Sequence, residues 1–479
     1  MQENYSDELV DWLSNCRFDD IPEQTVDYAK LVLLDSIICG IAAGGLERSK
    51  MLTAVYEQLG NQPDARILGT DKKLSAPHAA AVNCESMNLL DADDTFFTAS
   101  HFAAFNAAAA LAEADRSQSS GRDLLRSMIL GYDINARIFL SQVAIIQTDD
   151  GRFEYSPVQG MGFAAFGTAI SSALQRPLDT EQLRRLLGVT GWMAPTPSCN
   201  PQAKKHEHHS FKYANYSAAA LAGMLAVHYT EAGYSAQDDI LDSGAFMRAQ
   251  GCLDTDLELL TLDLGSKWWI DESCIKYYPS CRYTSAPIDM LLELMRDEQL
   301  RPDDIDHIDI EMNSVAYAMQ MFSNPASQIT DDHRAPLNGA FNIPYVVAVA
   351  ALGHTPGPNW YESSNLLDKD IWAFAKKIST SENQGSIDAI TRALNESRIR
   401  RFRKNPSAMT VTARGREYRL ASDYAQGDPW QDSTKASWDS IGEKFENFCG
   451  DLIGSSSIDR ITQSIKQLES RGHATNALY

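Results

Sequence analysis

Basic charge is in short supply in this 479-residue chain: 42 Lys+Arg stand against 64 Asp+Glu, a formal net charge of −22. Such an excess opposes attraction to nucleic-acid phosphates and to anionic lipid. Paired cysteines are missing as well. The eight cysteines, Cys16, Cys39, Cys84, Cys199, Cys252, Cys274, Cys281 and Cys449, form no C-x-x-C spacing and read as reduced core residues. No G-x-G-x-x-G follows a strand, and G-x-x-x-x-G-K-[ST] and G-x-S-x-G are absent, so a dinucleotide fold, a P-loop and an α/β-hydrolase each lack their motif. The longest apolar stretch, 31–43, is broken by Asp35 and falls short of the roughly 20 residues that a membrane span requires. The opening MQENYSDELVDWLS is acidic where a secretory signal would be basic. A cytoplasmic protein without nucleic-acid or membrane partners is the expectation.

What is present is an ordinary globular composition, 44% hydrophobic and 22% charged, in a chain long enough for two to four domains. Up to about residue 265 the helical period dominates, predicting helices over 23–43, 76–90, 103–114, 121–139, 160–174, 179–193 and 213–231. Ser120 with Asp123, and Asp179 after Pro177, supply helix starts. Alanine-dense segments such as 103–114 suit closely packed helices. Beyond about residue 268 the pattern changes: 287–298 reads as a helix, 305–312 as a strand, and 408–420 as a hairpin turning at Arg414-Gly415-Arg416. After a polar linker over 422–437 the helical period returns at 438–453 and 457–469. The expected fold is mainly α: a large all-helical domain, discontinuous in sequence (1–268 and 422–479), with a smaller α+β lid domain inserted at 269–421.

Three constellations carry potential chemistry. The first runs from Asp91-Ala92-Asp93-Asp94-Thr95 to His101, three carboxylates at the end of a hydrophobic helix, where they oppose the helix dipole. If the helix continues, Asp91 and Thr95 share a face at i,i+4. The segment is either a solvated acidic helix end or a carboxylate that orients an imidazole. The second, Lys204-Lys205-His206-Glu207-His208-His209-Ser210-Phe211-Lys212, concentrates cations and imidazoles in an acidic chain. It reads as a solvated loop, as a grip on a small carboxylate, or as metal ligands, although its spacing is not the H-E-x-x-H of zinc hydrolases. The third, from Lys276 through Tyr278-Pro279-Ser280-Cys281-Arg282-Tyr283-Thr284-Ser285, suits a pocket wall at a domain junction or aromatic packing between domains. Cys281 beside Arg282 is a candidate for a lowered thiol pKa.

The order of these segments resembles the MmgE/PrpD family of 2-methylcitrate dehydratases and cis-aconitate decarboxylases, along nearly the whole chain. The resemblance rests on Leu34-Asp35-Ser36-Ile37 with Gly40, on Asp91 through His101, on Ser120-Gly121-Arg122-Asp123-Leu124-Leu125 with Gly131-Tyr132-Asp133, and on Gly427-Asp428-Pro429 followed by Lys444-Phe445. It implies a homodimer with a helical domain and a lid, acting on small di- and tricarboxylic acids without a cofactor or an obligatory metal. It also implies that Asp91 and Thr95 are pocket residues, that His101 is the family's histidine, and that Lys212 faces the substrate. An ammonium against a substrate carboxylate would stabilise negative charge developing at the adjacent carbon, and Asp91 would hold His101 in one tautomer.

The departures from the family pattern are specific. Tyr155-Ser156-Pro157 stands where relatives have His-Pro, Ser285 stands where a second histidine is expected, and Phe102-Ala103 replaces the Pro-Ser after the first. A serine of ordinary pKa cannot replace a histidine poised near neutrality. The expectation is therefore a lyase or isomerase, of decarboxylase, dehydratase or epimerase type, working by carbanion chemistry next to a carboxylate but not by the family's standard reactions. His101, Lys212, Asp91 and Thr95 are the catalytic candidates. Lys276, Arg282, Tyr283, Ser285, Ser156, Tyr155 and His209 are the substrate-binding ones. The alternative is a noncatalytic or repurposed member that binds a small acid or a partner protein.

Overall fold

A computed structural model describes residues 4–476 apart from 61, 98–99, 144, 148–152, 157, 160, 200–209, 321–323, 325–328 and 331. The first half is built of helices: α1 (Tyr5–Asn15), α2 (Glu23–Gly44), α3 (Glu47–Gln58), α4 (Ala76–Asn88), α5 (Ala103–Ser117), α6 (Gly121–Leu140), α7 (Ala164–Ala173), α8 (Thr180–Met193) and α9 (Phe211–Glu231). Their starts follow local chemistry. The Ser120 hydroxyl accepts the Asp123 amide at the head of α6, and Asp179 with Gln182 closes a capping box on α8. The two helices with no counterpart in the periodicity reading, α1 and α3, are short and carry five and three buried residues.

Small residues let the helices pack in layers. α4 lies against α2, α5 and α9, and α7 against α5, α6 and α9. Where α6 crosses α7, a Cβ added to Gly131 would sit 2.1 Å from the Ser171 hydroxyl, so a side chain there would force the helices apart. No single helix among the described residues is long and apolar enough to cross a membrane.

The second part holds a four-stranded sheet. Strand Ile305–Met312 pairs in parallel with Ile378–Glu382 on one side and antiparallel with Ser407–Ala413 on the other, which turns through Arg414 and Gly415, both at positive φ, into Arg416–Ser422. Ser407–Ala413 alternates buried and half-buried residues, as a strand with one covered face must. Helices Arg282–Asp297 and Ile343–Ala351 pack together, and the former also contacts this sheet. The chain then returns: helix Trp438–Ile453 packs on α2, with Ser455–Lys466 beside it. Predominantly helical with small sheets is thus the observed class.

Candidate active site

The site begins where α4 stops. The helix ends at Asn88 and Asp91 adopts a left-handed backbone (φ 54°), so it does not continue to Thr95 and the expected i,i+4 face is not formed. Thr95–Phe96 instead forms a two-residue strand against Ser273–Cys274, which brings Lys276 alongside the acidic loop. Asp91, Asp93 and Asp94 are 2%, 0% and 0% exposed, so a solvated helix end is ruled out.

Each carboxylate has its own partners. Asp91 receives Lys276 Nζ on Oδ1 at 2.6 Å, and Lys212 Nζ (3.1 Å) and the Tyr213 hydroxyl (2.8 Å) on Oδ2. Burial alone would raise its pKa, but the two ammonium groups hold it well below the carboxylate range. Reciprocally, burial works against the Lys276 charge and Asp91 with Asp93 keeps the ammonium above the ordinary lysine value. Asp93 accepts both contacts from Asn88 Nδ2 (2.8 and 2.9 Å) and lies 4.0 Å from Lys276 Nζ. Asp94 accepts the Ala103 amide (3.0 Å) and the hydroxyls of Tyr132 (2.9 Å) and Ser273 (3.0 Å). Burial, and then the Asp93 charge, push the Asp94 carboxyl up to about 6.

His101 stands beside Asp93 rather than Asp91. Its Nδ1 lies 3.2 Å from Asp93 Oδ1, an ion-pair distance without the alignment of a hydrogen bond, and its ring meets Tyr216 edge-on. The expected pairing of His101 with Asp91 is thus replaced, because Asp91 is occupied by two lysines. Lys212, in the first turn of α9, spans the Tyr213 and Phe341 rings at 4.0 and 4.5 Å. The side chains of Lys212 and His101 retain 13% and 15% exposure, whereas that of Lys276 is fully enclosed.

The remaining candidates divide. Thr95 Oγ1 and Ser285 Oγ are buried without a hydrogen-bond partner among the described residues, a state that demands an explanation such as a bound ligand. Arg282 donates from Nη2 to Asp428, while its Nε and Nη1 are buried without a hydrogen-bond partner among the described residues; the pair holds a loop in which Gly427 must lack a side chain, since a Cβ would lie 1.8 Å from the Ile275 carbonyl. Burial raises the Cys281 thiol to about 11, the opposite of the lowered value that its neighbour Arg282 suggested. The Ser156 hydroxyl donates to the Gly251 carbonyl, and Tyr283 is buried near the start of its helix. The Tyr155 side chain, and the whole Lys204–His209 cluster including His206, His208 and His209, lie outside the described residues. Tyr213 and Asn88 do not figure as site residues in the sequence reading, and Asp93, one of the three carboxylates of its first constellation, takes the place beside His101 that the resemblance gave to Asp91. Only the adjacency of Tyr213 to Lys212 offered a signal.

The first half of the chain, residues 7–257, matches the MmgE/PrpD N-terminal domain, and residues 278–470 match the MmgE/PrpD C-terminal domain. A cis-aconitate decarboxylase of Aspergillus terreus (strain NIH 2624 / FGSC A1156) is 22% identical over 430 residues, 85% of this chain and 84% of that protein. A cis-aconitate decarboxylase-like protein, oryM, of Aspergillus oryzae (strain ATCC 42149 / RIB 40) is 21% identical over 492 residues, 99% and 96% of the two chains.

Proposed function

The chain belongs to the MmgE/PrpD family, and from that premise we propose that it is a lyase or isomerase of a small di- or tricarboxylic acid. The observation that carries the reading is the meeting of Lys212 and Lys276 on one buried carboxylate, Asp91, with His101 beside the neighbouring carboxylate of Asp93. A substrate carboxylate that displaces one oxygen of Asp91 from Lys212 gains a charge-assisted hydrogen bond. That ammonium then stabilises the negative charge that grows at the adjacent carbon when a proton or carbon dioxide leaves. His101 is the proton carrier, its Nδ1 facing the Asp93 carboxylate at 3.2 Å. Thr95 and Ser285, each with a buried hydroxyl to spare, are the groups that orient the substrate.

The serines at 156 and 285 narrow the reaction. With the Ser156 hydroxyl committed to the Gly251 carbonyl, proton transfer among the described residues rests on His101, and one proton carrier suits decarboxylation of a related acid, which needs only a proton donor at the carbon, better than the dehydration of 2-methylcitrate. Decarboxylation of cis-aconitate itself is expected to be weak. The proposal includes a cytoplasmic homodimer with a helical body (1–268 and 422–479), a lid (269–421) and no cofactor. Six buried free cysteines support a reducing compartment. Exposed Phe211, Trp192 and Val55, 72%, 69% and 53% accessible, support a second copy on the α3, α8 and α9 side.

Turnover of a panel of citrate-, aconitate- and aspartate-derived acids, followed by mass spectrometry, tests the assignment. Wild-type turnover abolished in both Lys212→Ala and His101→Ala is the expected result. Activity that survives both changes overturns the assigned residues, and elemental analysis showing a stoichiometric metal overturns the cofactor-free mechanism.

A further inference from the structure

The peptide between Asp91 and Asp93 is gripped from the far end of the chain. Lys444, on helix Trp438–Ile453, is 1% exposed; its ammonium donates to the Ala92 carbonyl at 2.7 Å, to the carboxylate of Asp35 on α2, and lies 3.7 Å from Cys39 Sγ. We propose that Lys444 is a positioning residue of the active site: anchored on Asp35, it pins the Ala92 carbonyl and so sets the directions in which the Asp91 and Asp93 carboxylates leave the loop. The inference rests on the function proposed above.

The geometry explains why such a pin is required. Asp91 is a non-glycine residue in the left-handed region, a conformation that persists only when its surroundings over-determine it. On its amino side the Asp91 amide donates to the Asn88 carbonyl at 2.9 Å, continuing the last turn of α4. On its carboxyl side the next carbonyl, that of Ala92, is the one taken by Lys444. Rotation of the 92–93 peptide would therefore break a buried charge-assisted hydrogen bond and swing Asp93 away from His101 and Lys276. The ammonium touches no atom of the Asp91 or Asp93 side chains. Its action passes through the backbone, and Asp35 serves to keep its charge in place where water cannot.

Removing Lys444 alone strands the Asp35 carboxylate in the interior and unfolds or weakens the protein for that reason only. The informative variant is the double replacement Asp35→Asn with Lys444→Met, which removes both charges and keeps the volume. We expect its melting temperature within a few degrees of wild type while kcat on the best acid of the panel falls about 10–100-fold, as a displaced catalytic loop requires. KM should change far less than kcat, because the lysines that hold the substrate lie on α9 and beyond Ser273–Cys274 rather than on the loop. Calorimetry with tricarballylate, an unreactive tricarboxylate, supplies a readout independent of turnover, and near-wild-type binding by the double variant is expected. A double variant with wild-type stability and wild-type kcat overturns the role of Lys444 and leaves the functional reading intact. Loss of kcat that merely tracks loss of melting temperature in both single and double variants also overturns it. A wild-type protein that neither converts the acids nor binds tricarballylate overturns the functional reading, and this inference with it.

Discussion

Three clusters of buried charge differ in how they end. Around Asp428, Arg282 closes a pair whose side chains are 4% and 0% exposed, and around Asp35, Lys444 closes another at 0% and 0%. Around Asp91 the same chemistry stays open. Two ammonium groups share one carboxylate, and both Lys212 and His101 keep a path to solvent. Burial of an ion pair is therefore not a mark of a site, since all three set the same attraction against desolvation. What sets the Asp91 cluster apart is a second cation on one carboxylate and the partial exposure of Lys212 and His101.

The comparison breaks most sharply at the open cluster. Lys212→Ala should cost about 10²–10³-fold in kcat/KM, the scale of losing one group that stabilises developing negative charge. Its melting temperature should change little, because the side chain is partly exposed and Tyr213 and Lys276 still satisfy Asp91. At the closed pair the signature reverses. Arg282→Met leaves Asp428 buried and unpaired and should destabilise the fold by about 3–5 kcal/mol in urea titrations, while the folded fraction keeps its KM. A Lys212 variant that unfolds, or an Arg282 variant that is stable and inactive, would erase the distinction.

A smaller effect separates carboxylates within the loop itself. Asp94 is pushed up to about 6, above its ordinary 3.8, whereas Asp91 is held well below that value. A raised carboxyl makes the folded state take up a proton that the unfolded chain releases, so its contribution to stability grows as pH falls through 6 and is withheld above it. Asp91 works the other way: its stabilisation is present above the ordinary value and is lost as pH falls through its folded value. Asp94→Asn should therefore flatten the dependence of stability between pH 7 and pH 4 by about 1–3 kcal/mol, measured by chemical denaturation. The smallest expected change is Ser285→Ala. With no hydrogen bond to lose, it should alter stability by less than about 1 kcal/mol, and a rise in KM without a fall in melting temperature would place its hydroxyl on the substrate.

The helices were the most legible part of the chain. The seven segments predicted over 23–231 each overlap an observed helix, because periodicity and the caps at Ser120 and Asp179 are local properties. The end of α4, read at 90 and observed at Asn88, was legible as well, but the left-handed backbone of Asp91, whose side chain is tied down from elsewhere, was not. The partners of the acidic loop were harder still. Asp91 is 121 residues from Lys212 and 185 from Lys276, and nothing in local spacing ranks those lysines above the Lys204-Lys205 pair or above Arg282. Arg282, adjacent to Cys281, looked as well placed as Lys276 and is turned to Asp428 instead.

Composition and helical period determined the class of fold, since propensity, capping and amphipathicity act over a few residues, and the family resemblance in the order of Asp91, His101 and Lys212 supplied candidate side chains. Which ammonium meets which carboxylate was decided only when α4, α9 and the Ser273–Cys274 strand packed together. Electrostatic partnership depends on distance and shielding from water, and both come into being with the folded interior rather than with the order of residues.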